Sequence, residues 1–129
     1  KACDYCMKNN GTCVQKDDMS DLLEAYKKAD VLVLATPVYF YGICAQMKTF
    51  IDRMYPIWQH LGEKEVYYIV SAGLGEDIVK RSIGDLDGFV EHIEKYEIKG
   101  RIYATNIMEA GKVCETSFLD DAYQMGRNI

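Results

Sequence analysis

The chain alternates short continuous apolar runs with longer segments in which apolar residues recur every three or four positions. Continuous apolar runs are typical of strands buried on both faces of a parallel sheet, and the longer spacing is typical of amphipathic helices. The predicted strands are Val31–Ala35, Val66–Val70 and Arg101–Ile107. The predicted helices are Met19–Lys28, Ala45–Trp58, Asp77–Tyr96 and a last one that Thr116 and Ser117 cap.

Each predicted strand is followed by a predicted helix, which is the order of a parallel sheet covered by helices on both faces. The fold class is therefore α/β. We expect residues 1–129 to form one domain, in which residues 1–16 are a polar, cysteine-rich loop. Because three strands leave an apolar strand at an edge, we expect that a partner covers this edge or that further strands lie outside this chain.

The charge and hydropathy of the chain narrow the classes of partner that we expect. The net charge of −5 is opposite to the charge that nucleic acid selects, so nucleic acid is excluded as a main partner. No apolar run approaches the roughly 20 residues that a membrane span needs, so no membrane association is expected. The predicted compartment is the cytoplasm, where the five cysteines would be free or bound to metal.

Ligands of open α/β sheets collect outside the carboxyl ends of the strands, which directs attention to the three segments that follow them: Thr36–Gly42, Ser71–Asp77 and Asn106–Lys112. Thr36–Gly42, with the sequence TPVYFYG, offers backbone groups and aromatic faces to a planar apolar ring, although its aromatics could also fold back into the core. Ser71–Asp77 is small and glycine-bearing, so a ligand could approach its backbone, although ordinary turns look the same. The chain contains neither a dinucleotide fingerprint nor a P-loop.

Three cysteines, Cys3, Cys6 and Cys13, lie within eleven residues. Thiolates at such a spacing can hold zinc or an iron–sulfur cluster, but both usually need four ligands, so free thiols are the alternative. His60 and His92 have no partner at metal-ligand spacing. No Ser-His-Asp or Cys-His arrangement is present, and no catalytic residue is assigned.

The stretch TPVYFYGICAQMKTFIDR, preceded by CVQKDDM, resembles the NADPH-dependent FMN reductase group of flavodoxin-like proteins, including its iron–sulfur flavoprotein branch. Cys13, Asp17–Met19, Thr36–Tyr39 and Lys48–Arg53 carry the resemblance. It implies a flavodoxin-like three-layer α/β/α fold with a parallel sheet, of which this chain holds strands three to five. The first strand, the phosphate-binding loop, a helix and the second strand of the family pattern do not precede Lys1, so the resemblance implies an N-terminally truncated domain.

The resemblance also implies site residues. The flavin ring would be bound by Thr36, Pro37, Val38, Tyr39, Phe40, Tyr41, Gly42, Ser71, Ala72 and Gly73. Cys3, Cys6 and Cys13 match the last three cysteines of the iron–sulfur branch and would be ligands of a [4Fe-4S] cluster if one is bound. Relatives without a cluster keep cysteines here too.

The resulting hypothesis is an FMN-dependent oxidoreductase in which NAD(P)H reduces FMN and the flavin passes electrons to a small-molecule or protein acceptor. The resemblance implies a homodimer or tetramer. Two alternatives stay open: an electron-transfer or metal-binding module whose only redox centre is the cysteine loop, and an interaction domain without flavin.

Overall fold

The computed structural model describes residues 2–129. Its strands are β1 (Val31–Tyr39), β2 (Gly42–Ile43), β3 (Glu63–Ser71) and β4 (Lys95–Ala104). Its α-helices are α1 (Met19–Lys28), α2 (Ala45–Asp52), α3 (Glu76–Ser82), α4 (Gly84–Val90) and α5 (Phe118–Arg127). Short 3₁₀ turns cover Cys6–Lys8, Tyr55–Ile57 and Lys112–Glu115.

The sheet has the order β2-β1-β3-β4. β1 pairs in parallel with β3, and β3 pairs in parallel with β4, so the three predicted strands form the expected parallel sheet. β2 was not predicted, because a two-residue strand has no pattern of its own; it folds back antiparallel on Val38 and Tyr39. The α/β prediction is confirmed.

One face of the sheet carries the hydrophobic core. Alternate residues of β1 and β3 point into it; among them, Leu34 is 2% exposed and Tyr68 is fully buried. Helices α1, α3 and α4 contribute residues to the same cluster, and α2 joins it through Phe50, whose ring meets Phe89 edge-on at 6.2 Å between centroids. This burial is the main source of stability for the domain.

The opposite face is covered only in part. Helix α5 packs on β4, where a Cβ added to Gly100 would lie 2.8 Å from the Met125 sulfur, so the glycine permits a close approach. Farther along the sheet Val33 remains 45% exposed, although its neighbour Leu34 is 2% exposed. The expectation that β1 is covered on both faces is therefore wrong for residues 2–129: α5 reaches β4 and leaves the β1 side open.

Two helix boundaries differ from the prediction. Helix α2 ends at Asp52, and Pro56 lies in a separate 3₁₀ turn, because proline cannot continue the helical hydrogen bonding. The predicted helix Asp77–Tyr96 is two helices that meet at Ile83, followed by a strand that already begins at Lys95. Pairing of Glu63 with Lys95 in the sheet overrides the local helical pattern there. No helix in the described part of the chain is long and apolar enough to cross a membrane.

Candidate functional site

The candidate site lies where the parallel strands end. β1 runs to Tyr39, turns at Phe40 and Tyr41, and returns as β2; we call residues 36–44 the hairpin loop. The segment after β3 is tied to the segment after β4, since the N–H of Asn106 donates to Leu74 O and that of Ile107 donates to Ala72 O, both at 3.1 Å. The three segments singled out in the sequence thus share one edge of the sheet.

The tip of the hairpin loop has a strained backbone. Phe40 and Tyr41 have φ values of 48° and 64°, in the left-handed region that favours glycine. For residues with a side chain this conformation costs about 1–2 kcal/mol each, and two-residue hairpin turns of this type usually carry Asn-Gly. Strain of this kind persists only where surrounding structure maintains it, and it is concentrated at ligand sites.

The aromatic side chains of the hairpin loop face solvent. Phe40 is fully exposed, and Tyr39 and Tyr41 are 65% and 55% exposed. The alternative in which these aromatics fold back into the core is therefore wrong. Exposed aromatic faces at the carboxyl edge of a sheet suit a planar ring, which would remove their apolar surface from water.

Thr36 has a different position from the tip residues. It is 3% exposed, and its hydroxyl donates to Pro37 O at 2.9 Å while accepting the N–H of Cys44 at 3.0 Å. The Thr36 side chain and the N–H groups of Met47 and Gln46 lower the pKa of the buried Cys44 thiol. Thr36 thus closes the base of the hairpin loop. Its contact with the flavin ring stays a prediction.

A cavity of about 210 Å³ opens between the hairpin loop and the segment after β3. Its walls are Val38, Phe40, Tyr41, Ala72, Gly73, Leu74 and Ile78. At Gly73 an added Cβ would lie 2.5 Å from the sulfur of Met108. Glycine at this position therefore lets the segment after β4 fold over the segment after β3. Ile78 and Met108 were not among the predicted site residues. Ile78 follows the segment Ser71–Asp77 directly, and Met108 lies in the segment Asn106–Lys112, which only folding brings to Gly73.

A larger groove of about 400 Å³ lies between α2 and α4, with Trp58 and Phe89 among its walls. None of its walls belongs to the segments that follow the strands. Ligands of open α/β sheets bind at the carboxyl edge, so we place the candidate site at the smaller cavity.

The cysteine loop, residues 2–16, is joined to α2 through Cys13 and through Asp17, which follows the loop. Arg53 at the end of α2 forms a bidentate ion pair with Asp17, at 2.7 and 2.9 Å, and also lies 3.8 Å from the Cys13 sulfur. Arg53 lowers the pKa of the Asp17 carboxyl. Asp17 and Arg53 carry the family resemblance, and the structure gives the physical reason: they join the loop to α2.

The cysteines among residues 2–129 are not grouped as the ligands of one metal ion. Cys3 is exposed, Cys6 is buried and Cys13 is half-buried, and all are free thiols. Residues 2–129 contain no group of three His, Cys, Asp or Glu side chains that could hold a metal ion. The residues present therefore do not fit an iron–sulfur cluster as they are arranged, and we derive no electron-transfer step through one.

The chain is similar to known FMN reductases and flavoproteins. The family model for NADPH-dependent FMN reductase matches residues 2–90. An iron-sulfur flavoprotein of Archaeoglobus fulgidus is 43% identical over 77 residues, which cover 57% of this chain and 34% of that protein. A second, from Methanocaldococcus jannaschii, is 43% identical over 51 residues, covering 40% of this chain and 26% of the relative. The chain thus spans about a third or less of these relatives.

Solved structures share the fold. A flavone reductase superposes with a TM-score of 0.68 at 20% identity, covering 95% of this chain and 49% of its own. An NADPH-quinone reductase from P. pentosaceus superposes with a TM-score of 0.65 at 15% identity, covering 98% and 87%. These likenesses confirm the predicted flavodoxin-like architecture, and the family match covers more than half of the chain. The chain belongs to the NADPH-dependent FMN reductase family of oxidoreductases.

Proposed function

We propose that this chain supplies the ring-binding part of an FMN-dependent oxidoreductase that takes electrons from NAD(P)H. The observation that carries the proposal is the hairpin loop. Its two tip residues hold a strained backbone, its aromatics are exposed, and it borders a cavity at the carboxyl edge of the sheet. A planar, partly polar ring is the ligand that such a site would stabilise.

The size of the cavity limits what it receives. Sites for whole cofactors usually occupy about 300–1,000 Å³, and this one has about 210 Å³. We therefore propose that it takes one edge of the isoalloxazine ring, against the backbone of residues 37–42 and of Ser71, Ala72 and Gly73. The phosphate would be bound elsewhere.

The residues of this chain would bind and orient the ring. Bound FMN supplies the redox chemistry, accepting a hydride and releasing electrons to an acceptor. Tyr39, Phe40 and Tyr41 would cover ring faces and exclude water, and backbone groups of the hairpin loop would meet the polar edge. No side chain is needed as a general acid or base, in keeping with the lack of a predicted catalytic residue.

The acceptor and the assembly are part of the same proposal. The names of the structural neighbours, a flavone reductase and an NADPH-quinone reductase, support a small-molecule acceptor, whereas the iron-sulfur flavoproteins leave a protein acceptor open.

We propose a cytoplasmic homodimer or tetramer. Light scattering of the purified protein would measure its mass, and a monomer would contradict this part.

Ring binding is tested by titration with FMN and with riboflavin, which carries the same ring without the phosphate. The double variant Tyr39→Ala/Phe40→Ala removes two exposed aromatic faces, each worth about 1–3 kcal/mol when a ring stacks on it. We expect at least tenfold weaker binding of both flavins, measured by quenching of flavin fluorescence. Tyr123→Ala is the matched control, because Tyr123 on α5 is 64% exposed, like Tyr39.

The outcome separates the alternatives. Affinity unchanged in the double variant would place the ring elsewhere. A protein that binds neither flavin, and shows no flavin bands after purification, would contradict the proposal and favour an interaction domain. A broad iron–sulfur absorbance without flavin would instead favour an electron-transfer module built on the cysteine loop.

A further inference from the structure

The turn at the tip of the hairpin loop needs an explanation for its stability. Neither Phe40 nor Tyr41 favours the left-handed backbone that it adopts. The ring of Phe40 is fully exposed, so packing within the chain does not hold it. Pairing of β1 with β2 closes the turn, and Tyr41 is the remaining side chain of the turn that can hold its tip in place.

Tyr41 is in contact with helix α3. The guanidinium of Arg81, in the last turn of α3, lies over the Tyr41 ring at 5.2 Å from the centroid. This distance is within the range of a cation–π interaction, and a planar guanidinium can also stack on the ring. The contact joins the hairpin loop to the helix that follows β3.

Arg81 is free to make this contact because it has no competing ion pair. Its neighbour Lys80 binds Glu76 at 2.8 Å, whereas among residues 2–129 no carboxylate lies within 4.0 Å of the Arg81 guanidinium. Lys80 and Arg81 thus carry the same charge on the same helix turn. Of the two, Arg81 is the one whose charged group lies over the Tyr41 ring.

We propose that Arg81 is a positioning residue for the flavin site: its guanidinium holds the Tyr41 ring and, through it, keeps the strained turn in the conformation that receives the isoalloxazine edge. This inference rests on the proposed function. Tyr41 lines the cavity, and so does Ile78, which lies one helical turn before Arg81 in α3. Release of Tyr41 would therefore change the cavity wall that the isoalloxazine ring meets.

The test is a double-mutant cycle on riboflavin binding, followed by flavin fluorescence. Riboflavin has no phosphate, so a direct attraction between Arg81 and a phosphate cannot contribute. We expect Arg81→Gln to weaken binding about two- to fivefold, the equivalent of about 0.5–1 kcal/mol for an exposed cation–π pair. Tyr41→Leu should weaken binding at least as much, because the Tyr41 ring would also cover the flavin. The double variant should lose little more than Tyr41→Leu alone, and Arg81→Lys should restore part of the affinity.

The controls distinguish the inference from the function on which it rests. Lys80→Gln removes the same charge one residue away and should leave riboflavin binding unchanged. Arg81→Gln binding like the wild type, or effects of Arg81→Gln and Tyr41→Leu that simply add, would overturn the role of Arg81 while leaving flavin binding intact. If the wild type binds neither riboflavin nor FMN, the proposed function fails, and the positioning role fails with it.

Discussion

The hairpin loop and the cysteine loop were both candidate sites, and they are built in opposite ways. The hairpin loop places non-glycine residues in left-handed backbone and exposes their rings. The cysteine loop has its left-handed positions at Asp4, Asn10 and Gly11, which are residue types that tolerate this backbone. It packs Gly11 against the Pro56 carbonyl and is held by Asp17 and Arg53.

This difference separates a loop shaped for a ligand from a loop shaped for the fold. Where glycine, aspartate or asparagine occupies a left-handed position, the chain adopts it at lower cost than with other residues, which favours the stability of the fold. Where Phe40 and Tyr41 occupy such positions, stability is reduced and aromatic surface is presented instead. The comparison predicts that substitutions in the two loops have opposite effects on stability and on flavin binding.

The largest effect should come from Gly11→Ala in the cysteine loop. The new Cβ would sit 3.0 Å from the Pro56 carbonyl oxygen at a positive φ, so strain and crowding add. We expect the free energy of unfolding to fall by about 2 kcal/mol, measured by urea denaturation, with riboflavin affinity unchanged in the folded protein.

Gly88→Ala is the matched control for this substitution. Its Cβ would meet nothing within 4 Å in helix α4, so alanine should stabilise by up to about 1 kcal/mol. Equal responses of the two glycines would contradict the view that Gly11 is required by the backbone of the cysteine loop.

An intermediate effect of opposite sign should come from the hairpin loop. Replacing Phe40→Asn and Tyr41→Gly together installs the residues that this turn type favours. We expect the free energy of unfolding to rise by about 1 kcal/mol while flavin binding weakens, because the strain and the aromatic surface are removed together. A variant that is less stable than the wild type would show that the tip residues support the fold rather than the ligand.

The smallest effect should be the acid response of the ion pair that anchors the cysteine loop. Arg53 lowers the pKa of Asp17 below its usual 3.8, so its contribution to stability is present above this value and is lost as the pH falls through the lowered one. Asp17→Asn should therefore destabilise the protein at neutral pH and converge with the wild type only where the pH falls below the lowered pKa of Asp17. Asp18→Asn serves as the control. A difference in the free energy of unfolding between Asp17→Asn and the wild type that persists in acid would argue against the ion pair.

Much of the fold could be predicted from apolar patterns. Buried strands such as Val66–Val70 have few polar interruptions, and α1 has a clean helical spacing that ends at two lysines. The boundary at Lys95 could not be predicted, because sheet pairing with Glu63 and not local preference determines it. Likewise, Val33 and Leu34 look alike in sequence and differ in burial, since helix packing covers only one of them.

Part of the candidate site was also visible in the sequence. The run of aromatics after β1 and the small residues after β3 were identified from their position at strand ends alone. The contacts of Arg81 with Tyr41 and of Met108 with Gly73 were not, because each joins residues that are distant along the chain.

Local composition determined which segments form strands, helices and turns, and it placed aromatic residues at a strand end, since periodicity and turn preference act over a few neighbouring residues. Only the tertiary structure decided that those rings face solvent on a strained turn and that the cysteines stay apart. It also decided that Asp17 and Arg53 meet. These features depend on pairing and packing between residues that are far apart in the chain. Arg81 and Tyr41 are 40 positions apart and Arg53 and Asp17 are 36 positions apart, and no local pattern encodes such contacts.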